Sequence, residues 1–233
     1  MCGRTKRLPM RSSNWWGHMP FVKRDVTAPS PAGRRAGDDV APHNDGLEPH
    51  IAALRSPDIE VRWKAARALG GRADAVRALA TALGVEQVAR VREAIMTALM
   101  RVGDEASVMA LLPYLRSQDA AERGASIEAL QALPEAILPF MAPLLADGDS
   151  DVRLLATELA RNMPAENATQ LLCRLLEHEH HPNVCAAAID VLAEVGTRDA
   201  VPALQACAER FAGTPFLPFA VSIAIARISD TDR

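Results

Sequence analysis

The sequence is poor in aromatic residues, which make up only 4% of the chain although 49% of its residues are hydrophobic. A core of this composition must therefore consist mainly of alanine and leucine packed between helices. No apolar run reaches the roughly 18 residues that a membrane-spanning helix needs. We therefore expect no contact with the membrane interior.

Cysteine is scarce as well, and the four cysteines (Cys2, Cys173, Cys185 and Cys207) show no spacing typical of a disulfide framework. A reducing cytoplasm is the simplest location for such a chain. The sequence also lacks a glycine-rich phosphate loop, a Gly-x-Ser-x-Gly motif and a His-Glu-x-x-His motif. We therefore predict a non-catalytic protein without a cofactor.

The sequence does contain a repeat, whose first copy runs over residues 58–70. Successive copies align on one site, which we call the reference position; it is occupied by Arg62, Arg92, Arg123, Arg153 and Cys185. A sixth copy, near Pro218, keeps only the small and apolar positions. A period of about 30 residues is typical of a solenoid.

Each copy predicts two helices, and the second of them carries the clearest apolar pattern. Small or apolar residues lie one before the reference position and three, six and seven after it. In the first copy these residues are Val61, Ala65, Ala68 and Leu69. This spacing places them on one helical face, which we expect to be buried.

Helix boundaries follow from capping residues and prolines. Asp58, Asp119 and Asp149 each lie four residues before a reference position, and we expect them to cap second helices. The second helices are predicted to start at Asp58, Gln87, Asp119, Asp149, Pro182 and Pro215. The first helices are predicted at a capping box over 45–48 and over 73–83, 105–115, 134–145, 165–177 and 199–211. Pro139 and Pro143 are expected to bend or shorten the helix over 134–145.

The repeat resembles HEAT repeats, in the short form found in phycobilin lyase subunits and in many stand-alone bacterial proteins. The residues that carry the resemblance are Asp58, Val61, Arg62, Asp119, Arg123, Asp149, Val152 and Arg153. It extends over residues 46–228 and implies an all-α, right-handed α-solenoid of about six helical hairpins. It also implies an aspartate–arginine ladder between repeats, formed by Asp58, Arg62, Arg92, Asp119, Arg123, Asp149 and Arg153. Val88, Glu122 and Cys185 depart from the family pattern.

Residues 1–45 differ in composition and charge from the rest. They carry eight Lys or Arg and four Asp or Glu, whereas residues 46–233 carry 18 and 25, so the net charges are +4 and −7. This Pro- and Gly-rich tail is predicted to be disordered. Its Asn-Trp-Trp triplet at 14–16 is either a chance cluster or a motif that docks on a partner. Translation from Met19 would make the first 18 residues non-native. No apolar segment typical of a secretory signal follows the basic start.

The second helices of a solenoid usually line its concave face, which binds partners. The candidate partner-binding residues are Trp63, Arg67, Glu93, Glu128, Leu154, Glu158 and Asp190, one or five residues after the reference positions. They describe a stripe that is mixed at its start and acidic towards its end. The alternative interpretation is an ordinary solvated helix face, with Trp63 closing the first end of the core.

Residues 177–181 read Glu-His-Glu-His-His and lie between Cys173 and Cys185. Cysteine and histidine are zinc ligands, but the Cys-x-x-Cys spacing is missing. The interpretation we prefer is a polar turn between helices with two small buried cysteines, and we expect no bound metal.

These observations favour a scaffold or adaptor that presents the concave face to a protein partner. The alternative is a phycobilin-lyase-like subunit that binds or attaches a chromophore. The acidic solenoid argues against nucleic-acid binding, which normally requires a basic stripe. We expect a monomer or weak oligomer, although the nearly uncharged last helix over 216–228 is expected to be covered or to contact another chain.

Overall fold

The computed structural model describes residues 46–214 and 216–230, and the regular structure within these ranges is entirely helical. Its α-helices are α1 (Leu47–Ala53), α2 (Ile59–Ala68), α3 (Val76–Leu83), α4 (Ala89–Val102), α5 (Glu105–Leu111), α6 (Ala120–Gln131), α7 (Pro134–Leu145), α8 (Ser150–Ala160), α9 (Ala165–His178), α10 (Pro182–Val195), α11 (Val201–Arg210) and α12 (Phe216–Asp230). Three short 3-10 segments extend this set: Ala73–Ala75 before α3, Leu112–Arg116 after α5 and Arg198–Ala200 before α11. The predicted tail and the Asp45 end of the capping box lie outside the described residues.

The helices pair into six hairpins that stack in chain order. Each odd-numbered helix packs against the even-numbered helix that follows it, and each hairpin packs on the next. The odd-numbered helices form one row, here called row A, and the even-numbered helices form row B. The predicted all-α HEAT-like solenoid is confirmed. None of the helices in the described ranges is both long and apolar enough to cross a membrane.

The core is made of aliphatic side chains, as the low aromatic content predicts. Leu69, Leu99 and Leu130 of row B are at most 1% exposed, and the buried alanines Ala156 and Ala188 have no exposed surface. Small side chains at such positions allow neighbouring helices to approach closely. The predicted apolar face of the second helices therefore lies between the two rows.

The first copy of the repeat departs from this pattern at one flank of α2. Ala65 and Leu69 are buried, but Val61 is 39% exposed and Ala68 is also exposed. The corresponding residues Val91 and Ala98 of α4 are buried. The prediction for Val61 and Ala68 was wrong because α2 begins row B in the described residues, so this flank has no preceding row B helix against which to pack.

The predicted capping aspartates close the starts of three row B helices. The Asp58 side chain accepts a hydrogen bond from the backbone N–H of Glu60 at 2.7 Å, and Asp119 and Asp149 do the same two residues ahead of themselves. Each carboxylate therefore satisfies a backbone N–H that the helix itself leaves unpaired. These caps are local, which is why the sequence alone reveals them.

Helix α7 keeps its full predicted length in spite of two internal prolines. It runs from Pro134 to Leu145 without interruption, so the two prolines do not shorten it. Pro139 lies on the exposed side of the helix. On its other side, α7 buries Ile137 and Met141 completely. This packing compensates for the missing hydrogen bonds.

Candidate functional site

The candidate site is a groove on the outward side of row B, where α2, α4 and α6 lie side by side. It consists of two adjoining cavities of about 210 Å³ and about 460 Å³. Glu93 and Thr97 of α4 line both cavities and mark the border between them. We call the smaller one, between α2 and α4, the first cavity, and the larger one, between α4 and α6, the second cavity.

Trp63 lies in the first cavity between arginine side chains. The guanidinium carbon of Arg67 is 4.5 Å from the centre of the Trp63 ring, and that of Arg90 is 4.2 Å away. Both distances are within the range of cation–π interactions. Trp63 is half-buried and packs against the core. Instead of an open tryptophan anchor, the structure therefore shows a ring that holds two cations.

Arg101 enters the first cavity from the end of α4. A Cβ atom on Gly70 would lie 3.1 Å from the Cδ atom of Arg101, so the missing side chain of Gly70 makes room for this arginine. Within the described residues neither Arg67 nor Arg101 forms an ion pair, whereas Arg90 pairs with the exposed Glu60. The first cavity therefore contains two cations that no described carboxylate neutralises.

The second cavity has an apolar floor and an acidic border. Met96 and Met100 of α4 line it, as do Ala125 and Ala129 of α6. The predicted site residues Glu93 and Glu128 also line it, and both are exposed. Gly124, at the position that Trp63 has in the first copy, leaves the cavity open because a Cβ atom there would meet nothing within 4 Å.

The remaining predicted site residues belong to a separate cluster on α8 and α10. The Arg161 guanidinium contacts Glu158 at 3.2 Å, Asp190 at 3.1 Å and also Glu194. The hydrogen bond to Glu194 makes the largest contribution to raising the pKa of Arg161. Glu158 and Asp190, at the predicted acidic end of the stripe, are both paired with Arg161. Leu154, from the same stripe, is half-buried and packs against the core.

Sequence reasoning missed the continuation of this stripe on α12. Phe219 and Ile223 lie one and five residues after Pro218, the site equivalent to the reference position, and they are 64% and 43% exposed. Phe216, 63% exposed, precedes them on the same helix. Counting from Pro218 in the sequence would have identified Phe219 and Ile223. They were overlooked because the sixth copy lacks the arginine.

The ladder between repeats exists, but its acids are mainly glutamates. Arg62 pairs with Glu86 at 2.7 Å, Arg153 with Glu179 at 2.6 Å, and Arg92 with Glu122. The predicted partner Asp119 is 3.8 Å from Arg92 and mainly caps α6. In the described residues the implied aspartate ladder keeps the Arg92–Asp119 contact alone, because the carboxylates of Asp58 and Asp149 turn towards their own helix starts.

Three of the four arginines at reference positions also fix the loop before their own helix. Arg62, Arg123 and Arg153 donate to the backbone carbonyl six residues earlier, at 2.9, 2.6 and 2.8 Å. Cys185, in the fifth copy, makes a weaker contact of the same kind, from its Sγ to the Glu179 carbonyl at 3.6 Å. Arg62 and Arg153 therefore hold the preceding loop and also form an ion pair with the next repeat.

Glu86 and Glu179 are buried carboxylates that serve two partners. Besides its arginine, each accepts backbone N–H groups at the start of the following row B helix, those of Val88 at 2.9 Å and His181 at 2.8 Å. The Arg62 hydrogen bond is the main cause that lowers the pKa of Glu86. Burial would raise the pKa of Glu179, but Arg153 and the N–H of His181 lower it below its usual value. Both carboxylates are therefore held in the charged form.

The histidine-rich segment forms the turn between α9 and α10. Glu179 at its centre is 7% exposed and bound to Arg153, while His178, His180 and His181 are exposed. Cys185 points into the core, where a hydrogen bond to Cys207 and burial raise its thiol pKa. Among residues 46–214 and 216–230, no three His, Cys, Asp or Glu side chains come together as a possible metal site.

Comparison with known proteins identifies the family of this chain. The family profile described as HEAT repeats matches residues 47–131 and 138–211. The chain belongs to the HEAT-repeat family. Two curated relatives of this HEAT-repeat protein are named "Bilin biosynthesis protein PecE". The one from Mastigocladus laminosus is 35% identical over 151 residues, which are 63% of this chain and 55% of the relative.

The PecE protein from Nostoc sp. is 32% identical over 149 residues, which are 62% of this chain and 58% of the relative. The chain thus spans a little over half the length of these relatives. The predicted resemblance to short HEAT repeats of the phycobilin lyase type is confirmed.

Two solved structures are also similar to this HEAT-repeat protein. One is an archaeal HEAT-like repeats protein from Thermococcus onnurineus, with 16% identity, a TM-score of 0.47, and coverage of 79% of this chain and 87% of that one. The other is the complex of CpcE and CpcF of phycocyanin lyase from Nostoc sp., with 18% identity, a TM-score of 0.36, and coverage of 88% and 100%.

Proposed function

We propose that this HEAT-repeat protein binds a bilin, a linear tetrapyrrole, in the groove of row B as a subunit of a bilin-processing assembly. The observation that carries the proposal is the relationship to PecE, a bilin biosynthesis protein, over 151 residues. The groove offers suitable chemistry, with methionine and alanine side chains for a conjugated body and charged residues along its length. Ligand sites commonly combine such an apolar lining with a few placed polar groups.

The test is an absorbance titration of the purified chain with biliverdin. Binding in the groove should change the visible spectrum of the pigment with saturation near one equivalent. Gly124→Leu should weaken binding by about tenfold or more, because the new side chain fills the second cavity. The matched control is Gly148→Leu, in the loop before α8, where an added Cβ also meets nothing within 4 Å.

A spectrum that does not change with the wild-type chain would refute bilin binding by the chain alone. Equal biliverdin affinity of the wild type, Gly124→Leu and Gly148→Leu would show that the pigment binds outside the groove. Circular dichroism of both leucine variants checks that the fold is kept.

We further propose that the chain contributes binding and does not carry out the chemistry by itself. Supporting this, the thiols of Cys185 and Cys207 are fully buried, and Glu86 and Glu179 are occupied by arginine and backbone partners. After incubation with the chain alone, biliverdin should be recovered with unchanged mass and absorbance. A converted or covalently attached pigment would contradict this proposal.

The second candidate is a scaffold for a protein partner, and the exposed apolar side of α12 favours it. Phe216, Phe219 and Ile223 present large apolar side chains at one end of row B. Aromatic residues of this kind often form the centre of protein interfaces. A partner captured by the wild type but not by Phe219→Ser, combined with no biliverdin binding, would favour the scaffold over the bilin subunit.

A further inference from the structure

The first cavity collects positive charge from two neighbouring row B helices. Arg67 comes from α2, and Arg90 and Arg101 come from α4. Glu93 is the one acidic residue among the described residues that line this cavity. Arg90 is paired with Glu60 outside the cavity, but Arg67 and Arg101 still leave an excess of positive charge here, although residues 46–233 as a whole are acidic. Such a local reversal of sign indicates a site for a negatively charged group.

Trp63 keeps two of these cations together. Arg67 and Arg90 lie 4.5 Å and 4.2 Å from the same ring centre, so their guanidinium carbons are within about 9 Å of each other. Like charges at this separation repel, and an anion bound beside them would offset the repulsion. Trp63 is therefore a positioning residue that holds the two guanidinium groups in place in the absence of a ligand.

Arg101 completes the pocket from the far end of α4. Its Nη1 atom would lie 3.5 Å from a Cβ atom on Gly70, so the side chain passes directly over the end of α2. In the part of the chain that the structure describes, Arg101 and Arg67 lack an ion-pair partner. Their hydrogen-bond donors are available for a ligand.

We infer that the first cavity binds a carboxylate of a planar, apolar ligand whose body lies in the second cavity. Guanidinium groups form paired hydrogen bonds with carboxylates. Met96 and Met100 provide an apolar surface beside the pocket. Glu93 and Glu128 border this surface and would repel a polyanion such as a nucleic acid. A carboxylate at one end of an apolar body is the chemistry that fits both cavities.

Linear tetrapyrroles carry carboxylate arms on a conjugated body, so the inference adds a carboxylate pocket to the proposed function. The identity of the natural ligand rests on that proposed function. It is tested with a probe that is not a tetrapyrrole. The fluorescent acid 1-pyrenebutyrate and its neutral counterpart 1-pyrenebutanol share one planar body and differ at the end of the arm. Fluorescence anisotropy gives the affinity of each probe.

The wild type should bind the acid at least about tenfold more tightly than the alcohol, the scale of one charge-assisted hydrogen bond. Arg67→Ala and Arg101→Ala should each remove most of this preference and leave the alcohol unaffected. Arg77→Ala, an exposed arginine of α3 in row A, is the matched control and should behave as wild type. Added salt should weaken binding of the acid alone.

Gly70→Ala tests the geometry with every charge retained. The new methyl group would lie 3.1 Å from the Cδ atom of Arg101 and would force a small shift of its side chain, so the preference for the acid should fall by less than in Arg101→Ala. Both arginines are exposed, and unchanged circular dichroism spectra are expected for all variants. Equal affinity for the acid in wild type, Arg67→Ala and Arg101→Ala would overturn the inference.

Biliverdin and its neutral dimethyl ester separate this inference from the proposed function. If the chain binds both pigments equally and the arginine variants do not matter, bilin binding stands and the carboxylate pocket is refuted. If binding of 1-pyrenebutyrate depends on Arg67 and Arg101 while biliverdin fails to bind, the carboxylate pocket stands and the bilin function is refuted. A preference for biliverdin over its ester that depends on these arginines supports both the carboxylate pocket and the bilin function.

Discussion

At the scale of single residues, Glu86 and Glu179 link consecutive repeats. Each carboxylate binds an arginine from the preceding hairpin and caps the next row B helix through backbone N–H groups. Their side chains are 6% and 5% exposed, so solvent screens these interactions only weakly. A buried carboxylate with several donors is strongly held in its charged form.

The double variant Glu86→Gln with Glu179→Gln tests this role through its pH dependence. Both carboxylates have pKa values lowered by folding, so their contribution to stability is complete above the unfolded pKa of about 4.5. It is lost as the pH falls through the lower folded values. The double variant should be less stable at pH 7, by on the order of 1–3 kcal/mol per site.

The measurement is the melting temperature by circular dichroism between pH 3 and pH 7. The wild type should lose stability on acidification more steeply than the double variant, so the two curves converge towards low pH. Glu105→Gln, at an exposed position of α5, is the control and should follow the wild type. Parallel curves for the wild type and the double variant would show that these carboxylates do not link the repeats.

Leu130→Ala tests the assignment of the buried face. Leu130 has no exposed surface, and its truncation should lower the free energy of unfolding by about 2–5 kcal/mol. Glu128→Ala, two residues earlier on the exposed side of α6, should change it by no more than about 0.5 kcal/mol. Urea unfolding measures both. Equal effects would mean that the core face of row B has been misassigned.

At the scale of elements, α12 differs from the other row B helices. Its inner side buries Leu217, Val221 and Ala224, as expected for the last copy of the repeat. Its outer side carries Phe219 and Ile223, and the position of Ile223 is polar or charged in every earlier copy. The helix is therefore apolar on two sides, and only one of them is packed within the described chain.

The double variant Phe219→Ser with Ile223→Ser tests whether the outer side of α12 contributes to stability. Because both side chains are exposed, the free energy of unfolding should change by no more than about 0.5 kcal/mol per site. Binding of a hydrophobic dye to the native protein should decrease. Val221→Ser, on the buried side, should cost about 2 kcal/mol or more. Strong destabilisation by the double variant would show that the outer side is packed.

At the scale of the whole molecule, charge is distributed unevenly along the solenoid. The first cavity concentrates arginines near the start of row B, whereas Arg161 is surrounded by Glu158, Asp190 and Glu194 near its end. One arginine offsets only part of the charge of these three acids, so the end of the predicted stripe stays acidic although its acids are paired. Glu93 and Glu128 beside the groove are exposed as well.

Removal of residues 1–45 should leave the solenoid intact. The composition of this segment cannot form a core, and the described helices begin with the buried Leu47. Helix content per described residue should be unchanged, and the melting temperature should stay within about 2 °C of the full chain. Circular dichroism and calorimetry of both chains provide the measurement. A large drop on truncation would show that the segment packs on the solenoid.

Much of the architecture was predictable because its determinants are local or periodic. The second helices start where the capping aspartates Asp58, Asp119 and Asp149 occur, and α7 and α9 match their predicted ranges to within one residue. A cap depends on backbone groups within three residues, and an apolar face depends on the 3.6-residue period. Helix caps and apolar faces can therefore be read from short stretches of the sequence.

The site was less predictable because it depends on side chains that meet across helices. Trp63, Arg67 and Glu93 were recognised as outward-facing, but neither Arg101 nor the space above Gly70 was associated with them. The pairing of Arg161 with Asp190 joins residues 29 positions apart. Spacing along one helix contains no information about which long side chain reaches over from the next.

The repeat, the helix starts and the aliphatic core follow from consecutive residues, since they need only short-range geometry and a repeated pattern of small residues. The fold was needed to show that glutamates are the main partners of the reference arginines and that Trp63 contacts two arginines. It was also needed to show that the acids of α8 and α10 share Arg161. These outcomes depend on how closely neighbouring hairpins stack, because ion pairs and cation–π contacts form only within a few ångströms.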